Sequence, residues 1–477
     1  MKRKRIFIAA IMAGVMCFSL SACGSNKNVA TSTDAEKDTS KDESRDTISS
    51  RGIPRYEGNT PRIIKIGTWY DIYYDSTHED IYSDPFIADE ETAKLRFDNL
   101  KTVEEKYNVR IEFENLTYEG IKESIETSIP AGKPDCDIYL TEPSFALPAI
   151  VKGYATDLEK VLPSDADILN EQQYLRTAKL NGIDGTYLMY EAGGESIPDS
   201  VYCLAFNKKI LETTDLEDPN VMYKRGQWTW DKWLYYMDRL TQDTDGDGTP
   251  DVYGFSSDTQ LLFENLCMSN GTSVASSDTE NISSKEVGEV LDYINKMYNS
   301  EKVVKPMVAS ETDAAQNDYL SGDVACWITQ AHITNANEDL KHGINEIWCP
   351  WPEGPHGDIE SNATKNEINN AGYIIPKGAD DPYLIYCVFQ DYMDYYGTDF
   401  EKRDTVNEWW HTAALTEENF NVMYNGGKHA GIDLWNSLGI NYDFDGFING
   451  DITRVQFQEN YSKQIQQALD AMFTSDD

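Results

Sequence analysis

Basic residues are scarce in this 477-residue chain: 41 Lys and Arg stand against 82 Asp and Glu, which gives a formal net charge of -41 at pH 7. A chain with such an excess of negative charge repels the phosphate backbone of nucleic acids. We therefore expect no nucleic acid among its partners.

The sequence motifs of common hydrolases and nucleotide-binding proteins are also missing. The chain has no G-x-S-x-G, no H-E-x-x-H and no glycine-rich phosphate loop, and no two of its six His residues have the spacing of a metal pair on one helix. These absences favour a protein that is not an enzyme. They leave a glycosidase open, because its two catalytic carboxylates lie far apart in sequence.

The hydrophobic run at the amino terminus is too short to span a membrane. Thirteen uncharged residues, Ile6 to Phe18, follow the basic residues Lys2 to Arg5, whereas a membrane-spanning helix needs about 20 apolar residues. The next segment, Leu20-Ser21-Ala22-Cys23, resembles a bacterial lipobox. This resemblance implies a lipoprotein signal peptide over residues 1–22, acylation of Cys23, and attachment to the outer face of the cell membrane through the lipid alone. The alternative is an ordinary signal peptide followed by a coincidental Cys.

Residues 23–60 are predicted to form the lipidated Cys and a disordered tether. Only six of the 37 residues from Gly24 to Thr60 are apolar, so the segment buries too little surface to offset its ordering entropy. A lipid, a polar tether and a large domain together indicate an extracytoplasmic protein that works beside a membrane.

The Cys residues beyond Cys23 form no C-x-x-C pair; they are Cys136, Cys203, Cys267, Cys326, Cys349 and Cys387. Most of them lie in apolar strand-like or helical runs, where Cys usually acts as a small buried hydrophobic residue. We expect free thiols, although the spacing leaves disulfide pairing open.

The first part of the body alternates strand and helix patterns. A strand-like run over 63–69 precedes a helical repeat over 93–107; a second strand at 109–113 precedes a second helix that stops at Pro130, and a third strand covers 136–140. This alternation predicts a parallel sheet covered on both faces. Ligands of such sheets meet the loops at the carboxyl ends of the strands. Those loops carry Trp69-Tyr70-Asp71 and Thr141-Glu142-Pro143.

A series of short segments from residue 62 to the carboxyl terminus resembles the extracellular solute-binding proteins of ABC importers, in the order found in their large carbohydrate-associated group. The segments are Glu105 to Phe113, Pro134 to Tyr139 (a "PDI" strand), Gly153 to Leu158 ("G-x-x-x-DL"), Leu204 to Lys208 ("YNK", with Phe for Tyr), Trp228 to Trp233 ("TW-[DE]-x-[FW]"), Tyr319 to Ala325 ("F-x-x-G-x-VA"), Trp351 to Pro355 ("P-x-GP") and Gly372 to Gly378 ("G-x-x-IPKG"). Each segment alone is weakly specific, and their shared order carries the resemblance.

The resemblance implies two Rossmann-like α/β lobes with a ligand cleft between them and several hinge crossovers, the periplasmic-binding-protein-like II fold. Lobe 1 is expected over 62–198 plus about 372–425, and lobe 2 over about 199–371 plus 426–477. The chain is long enough for two lobes near the upper end of common domain sizes. Helical spacing of apolar residues at 233–240 and 287–298 supports helices in lobe 2.

The run from Asp243 to Asp251 resembles a calcium-binding loop. Acidic residues stand at its first, third, fifth and ninth positions (Asp243, Asp245, Asp247 and Asp251), Gly248 stands at the sixth, and Thr249 is at the seventh, which contributes a carbonyl. At the twelfth position an EF-hand has a bidentate Glu, whereas this chain has Gly254. We expect a structural calcium ion in lobe 2; the alternative is a solvated Asp/Gly turn.

Aromatic residues at predicted loop ends are the candidates for ligand binding. Sugar rings present an apolar C–H face and a rim of hydroxyl groups, so a sugar site combines flat aromatic side chains with Asp, Glu, Asn or Gln. The candidate residues are Trp69, Tyr70, Asp71, Glu142, Trp327, Gln330, Trp351, Tyr373 and Trp410. The alternative for each aromatic residue is packing in the core, which we favour for Trp228, Trp230 and Trp233.

These patterns together predict a lipid-anchored substrate-binding protein of an ABC transporter. It is expected to be a monomer that captures a carbohydrate, an oligosaccharide rather than a single sugar, by closing its two lobes. It would then deliver the sugar to the transmembrane subunits of an ABC permease. The alternative is an extracellular glycan-processing enzyme or a glycan-binding adhesin on the same kind of tether.

Overall fold

A computed structural model describes residues 52–87, 90–166, 169, 183–189, 201–306, 314–330, 345–357, 372–395, 416–422 and 433–473. The strands are β1 Arg62–Thr68, β2 Val109–Asn115, β3 Ile138–Thr141, β4 Cys203–Asn207, β5 Tyr253–Ser256, β6 Ala275–Ser276, β7 Thr279–Glu280, β8 Val324–Thr329, β9 Glu346–Cys349 and β10 Gly372–Ile374. The helices are α1 Glu90–Tyr107, α2 Tyr118–Ser128, α3 Pro143–Val151, α4 Leu158–Val161, α5 Lys208–Leu211, α6 Pro219–Lys224, α7 Trp230–Leu240, α8 Thr259–Ser269, α9 Lys285–Asn295, α10 Ala314–Ser321, α11 Pro382–Met393, α12 Phe444–Ile448 and α13 Arg454–Phe473. Short 3-10 helices cover Ile81–Ser83 and Leu434–Ser437, and a π-helical turn, Lys296–Ser300, extends α9.

The first lobe is built on a four-stranded sheet with the order β10-β3-β1-β2. Strand β1 pairs in parallel with both β2 and β3, while β10 returns antiparallel to β3. The parallel arrangement predicted from the strand and helix alternation is therefore confirmed. Helix α1 buries Ala93, Phe97, Leu100, Val103 and Tyr107 as its spacing predicts, and it ends where Asn108 adopts a φ of 56°, a left-handed conformation that Asn tolerates.

The second lobe is built on another four-stranded sheet, in the order β5-β8-β4-β9. Strand β8 is parallel to β5 and antiparallel to β4, and β4 is antiparallel to β9. Helices α7 and α9 coincide with the two predicted amphipathic helices of this lobe and turn their apolar faces inward. The mixed α/β architecture with two lobes is thus confirmed.

The two lobes share a packed region. Helix α3, which follows β3 of the first sheet, packs against Leu434–Ser437 and against α13, whose other neighbours belong to the second lobe. One continuous hydrophobic cluster accordingly includes Ile150 of α3 together with Trp435 and Leu469. A second cluster lies between the first sheet, α1 and α11.

Part of the predicted tether is folded, so the boundary at residue 60 is wrong. The Arg55 guanidinium donates to the carbonyl oxygens of Glu105 and Lys106 at the end of α1, and the Asn108 amide donates to the carbonyl oxygens of Tyr56 and Gly58 at 2.7 and 2.9 Å. The last carbonyls of a helix lack partners within the helix, and a basic side chain satisfies them. Residues 52–60 therefore belong to the first lobe, while 23–51 lie outside the described residues.

The predicted boundary of the first lobe near residue 425 also differs from the structure. The Asn419 side chain accepts a hydrogen bond from Trp348 N at 2.9 Å and donates one to Glu346 O at 3.1 Å. Both partners lie on β9, the edge strand of the second sheet, and the Asn419 amide completes their backbone hydrogen bonding. Residues 416–422 thus pack on the second lobe rather than the first.

Candidate functional site

The carboxyl ends of β1, β2 and β3 bring three aromatic side chains together. Because these strands are parallel, the residues that follow them meet at one edge of the sheet. The ring centroid of Trp69, after β1, lies 6.2 Å from that of Tyr70 and 6.0 Å from that of Tyr118, the first residue of α2, both in edge-to-face geometry. Tyr70 is 43% exposed and Tyr118 42% exposed, so part of this aromatic cluster faces solvent.

Carboxylate and amide groups surround the aromatic cluster. The Asn115 side chain donates to Asp71 Oδ1 at 2.8 Å, and the hydroxyls of Tyr118 and Ser144 both donate to Glu142 Oε1. Burial and the Glu142 hydrogen bond raise the pKa of the Tyr118 phenol to about 12. These bonds fix the carboxylates beside the rings while leaving further acceptor capacity on each.

We call Trp69, Tyr70, Asp71, Asn115, Tyr118 and Glu142 the first-lobe cluster. It combines flat apolar faces with oriented hydrogen-bond acceptors, the combination suited to a polyhydroxylated ring. Tyr118 and Asn115 were not among the predicted residues, although Asn115 ends β2 and Tyr118 follows it at the edge that also carries Trp69 and Glu142. Applying the strand-end rule to the second strand would have found them.

Trp327 in the second lobe is placed differently from the prediction. It lies within β8 rather than at its end, pairs with Ala205 of β4, and is only 4% exposed. Tyr319 of α10 covers it, with ring centroids 5.4 Å apart in a stacked arrangement. Gln330 follows β8 and is also buried. Trp327 is buried because α10, which precedes β8 across a short turn, packs against this strand.

Two further aromatic candidates pack within the lobes. Trp351 is fully buried with its ring centroid 5.9 Å from that of Trp233. Tyr373 was expected in a loop but is the central residue of β10, where its ring lies 4.8 Å from that of Phe389. Core packing was the alternative for both, and their burial agrees with it. Trp410 lies outside the described residues.

The acidic loop between α7 and β5 groups three carboxylates. Oxygen atoms of Asp243, Asp245 and Asp247 lie within 4.8 Å of one another at an exposed position. Antiparallel hydrogen bonds between Gln242 and Val252 close the base of the loop. Asp251 instead accepts from Thr244 N at 2.7 Å and from its hydroxyl, and these bonds lower the pKa of Asp251.

The structure explains why the twelfth position of this loop holds Gly254. A Cβ atom at Gly254 would lie 2.3 Å from the carbonyl oxygen of Met237, so β5 packs directly on the backbone of α7 at this point. A Glu side chain does not fit there. The three grouped carboxylates fit a hard cation, and its remaining ligands would come from a backbone carbonyl and water.

The cysteine predictions are confirmed for the described chain. The six Cys residues from Cys136 to Cys387 are free and buried. Burial raises the pKa of the Cys136 and Cys387 thiols to about 12. Such thiols act as small hydrophobic residues rather than as nucleophiles.

Comparison with protein families identifies the fold. The family model for bacterial extracellular solute-binding proteins matches residues 100–391, more than half of the chain. The chain belongs to this family. The predicted resemblance is therefore confirmed, and the solute-binding family agrees with the absence of the common catalytic motifs. No curated protein matches the chain by sequence.

Solved structures agree with this assignment. UspC of M. tuberculosis has 15% identity and a TM-score of 0.56, covering 86% of this chain and 100% of its own. The sugar-binding protein MalE of Xanthomonas citri has 11% identity and a TM-score of 0.54, covering 86% and 98%. A family 1 extracellular solute-binding protein of Bifidobacterium longum subsp. infantis has 15% identity and a TM-score of 0.52, covering 87% and 99%. At such low identities these similarities establish the fold alone. Within the described ranges, no helix combines the length and apolar character of a membrane span.

Proposed function

We propose that this solute-binding protein captures a carbohydrate, an oligosaccharide rather than a single sugar, and delivers it to the transmembrane subunits of an ABC permease. The observation that carries the proposal is the first-lobe cluster, in which the rings of Trp69, Tyr70 and Tyr118 stand beside the carboxylates of Asp71 and Glu142. The sugar-binding MalE, similar in fold, supports the same substrate class.

Closure of the two lobes is the proposed mechanism of capture. A solute that touches both lobes only in the closed state stabilises that state, so binding shifts the population from open to closed. In the first lobe, Trp69 would cover one face of a sugar ring. The carboxylates of Asp71 and Glu142 would accept hydrogen bonds from its hydroxyl groups, and we keep Gln330 as the polar candidate of the second lobe.

We further propose that the protein is a monomer without catalytic activity and is held outside the cell membrane by a lipid on Cys23. The lipobox and the polar segment that follows it support this attachment. Two or three acyl chains give lasting anchoring where a single chain does not. Inhibition of lipoprotein signal peptidase should leave an uncleaved chain of higher mass, whereas a normally processed product would contradict the assignment.

We propose calcium as a structural ion of the second lobe, held by Asp243, Asp245 and Asp247 with the carbonyl of Thr249. The grouped carboxylates support this site. Asp251 would join it directly or through a water once its bonds with Thr244 are exchanged. The ion would fix the connection between α7 and β5 and would not contact the solute.

A thermal-shift screen against mono- and oligosaccharides, with calcium present, tests the substrate class. A ligand at about a hundred times its Kd adds about 2.7 kcal/mol of stability, which raises a melting temperature by several degrees. We expect a clear shift with one class of neutral oligosaccharide and an intact sugar by chromatography afterwards. Cleavage of the sugar would favour the glycan-processing enzyme, and binding without lobe closure would favour the adhesin. A shift only with peptides or other solutes would contradict the carbohydrate assignment.

A further inference from the structure

The connection between β1 and α1 displays two aromatic side chains to solvent. Phe86 is 82% exposed and Tyr82 is 68% exposed, the highest values among the exposed large hydrophobic side chains of the described chain. Rings in such positions contribute little to the burial that stabilises the lobe. We call residues 79–87 the display loop.

The display loop has a fixed conformation. The Asp80 carboxylate accepts from Tyr82 N at 2.9 Å, and Ile81 between them is buried in the first lobe. Asp84 accepts from Phe86 N at 2.8 Å with one oxygen and from the Tyr74 hydroxyl at 2.9 Å with the other. Because these bonds already order the backbone, a partner that buries the two rings loses little conformational entropy in the loop.

The display loop lies along the outer edge of the first lobe, beside α1. Tyr74, which holds Asp84, packs against Phe97 of α1 with ring centroids 5.4 Å apart, and the Arg96 guanidinium lies 5.1 Å from its ring. Just before the loop, Ser76 N donates to Ile111 O at 2.8 Å, and Asp75 accepts from Phe113 N at 2.8 Å. The loop therefore follows the edge of β2 before the chain enters α1 at Glu90.

The charge around the two rings indicates the chemistry of the partner. Residues 79–91 contain six carboxylates and no Lys or Arg; the acidic residues are Glu79, Asp80, Asp84, Asp89, Glu90 and Glu91. An anionic lipid surface repels such a segment. An apolar protein pocket bordered by Lys and Arg is complementary to it. Two aromatic rings bury only a small interface area, which is typical of transient complexes.

We infer that the display loop docks into a basic, apolar pocket on the extracytoplasmic face of the membrane permease. The inference rests on the proposed function, because it assumes that a permease receives the solute. Tyr82 and Phe86 are then contact residues for the permease rather than for the solute.

Site-specific photo-cross-linking of the full chain in intact host cells tests the docking surface. The photoreactive amino acid p-benzoylphenylalanine replaces Phe86, and a matched control carries it at Tyr235, which is 47% exposed on α7 of the second lobe. We expect several-fold more cross-linking to a transmembrane importer subunit from position 86 than from position 235. Equal yields, or products formed only with lipid or with a second copy of the chain, would overturn the inference.

A charge-reversal substitution tests whether the partner pocket is basic. In the chain with the probe at position 86, Glu79→Lys should lower the cross-link yield several-fold, whereas Glu126→Lys, on the exposed face of α2, should not. An unchanged yield with Glu79→Lys would reject the complementary basic pocket. The oligosaccharide melting shift of the wild-type chain is measured separately. If that shift is present and the cross-link is absent, the docking surface is wrong and the proposed function stands; if both are absent, the proposed function fails too.

Discussion

The described Trp residues of the two lobes differ in how deeply they are buried. In the second lobe, Trp228, Trp233, Trp348 and Trp351 are fully buried. In the first lobe, Trp69 is only partly buried, and the neighbouring Tyr70 and Tyr118 are each more than two-fifths exposed. A high aromatic content therefore does not by itself mark a ligand site. Position at the carboxyl end of a parallel strand separates the candidates that face solvent from those that form the core.

The hydrogen bonds of the two aromatic groups show the same contrast. In the second lobe, the Trp228 indole donates to Pro350 O at 2.8 Å, and the Trp230 indole donates to Ser269 Oγ at 3.1 Å. These two donors are satisfied inside the protein. In the first-lobe cluster, Asp71 and Glu142 hold acceptor groups at a partly exposed edge, where an incoming hydroxyl group can reach them. Four predictions separate the structural role of one group from the binding role of the other.

The largest expected effect is loss of stability on Trp233→Ala. The Trp233 ring packs against Phe255 and Trp351 and is fully buried, so its removal should cost about 3–5 kcal/mol of unfolding free energy. Urea denaturation measures it. Trp69→Ala is the matched control and should cost clearly less. Equal costs would contradict the contrast between the lobes.

The second-largest expected effect is a loss of thermal stability on calcium removal. If the Asp243 loop binds calcium, an ion at about a hundred times its Kd contributes about 2.7 kcal/mol, so chelation should lower the melting temperature by several degrees. Asp245→Asn should abolish the response to chelator. A melting temperature that chelator leaves unchanged would remove calcium from the account.

Trp69→Ala should weaken oligosaccharide binding about tenfold, equivalent to about 1.4 kcal/mol, because the sugar loses one of its stacking faces. Isothermal titration with the best oligosaccharide of the thermal-shift screen measures the change. Trp351→Phe, a change within the second-lobe core, should leave the affinity nearly unaltered. The opposite ranking would move the site away from the first-lobe cluster.

The smallest expected effect is a pH dependence at Tyr118. Its folded-state pKa of about 12 lies above the ordinary value near 10, mainly because of burial and then because of the Glu142 hydrogen bond. The neutral phenol therefore stabilises the folded state fully below about pH 10, and this contribution is lost as the pH rises through about 12. Between about pH 10 and about pH 12, the free energy of unfolding should fall less for Tyr118→Phe than for the wild-type chain. Identical pH profiles from urea unfolding would show that the phenol is not linked to folding.

The sequence was most informative where contacts are local. The apolar residues from Ala93 to Tyr107 predict α1 because helix periodicity depends on near neighbours alone. The docking of Arg55 on the carbonyls that end α1 joins residues 50 positions apart, and no periodicity records it. The burial of Trp327 likewise depends on distant residues, because β8 lies inside the sheet and pairs with β4 and β5. Tyr118 was missed for another reason: the strand-end rule was applied to β1 and β3 but not to β2.

Fluorine NMR of the chain labelled with 5-fluorotryptophan tests the central claim most directly. The Trp69 resonance is assigned by its disappearance in Trp69→Phe, and the spectrum is followed as the best oligosaccharide of the screen is added. We predict that the Trp69 resonance shifts with saturation while those of the buried Trp233 and Trp351 keep their positions. An unchanged Trp69 resonance under conditions of saturated binding would contradict the assignment of the solute site to the first-lobe cluster.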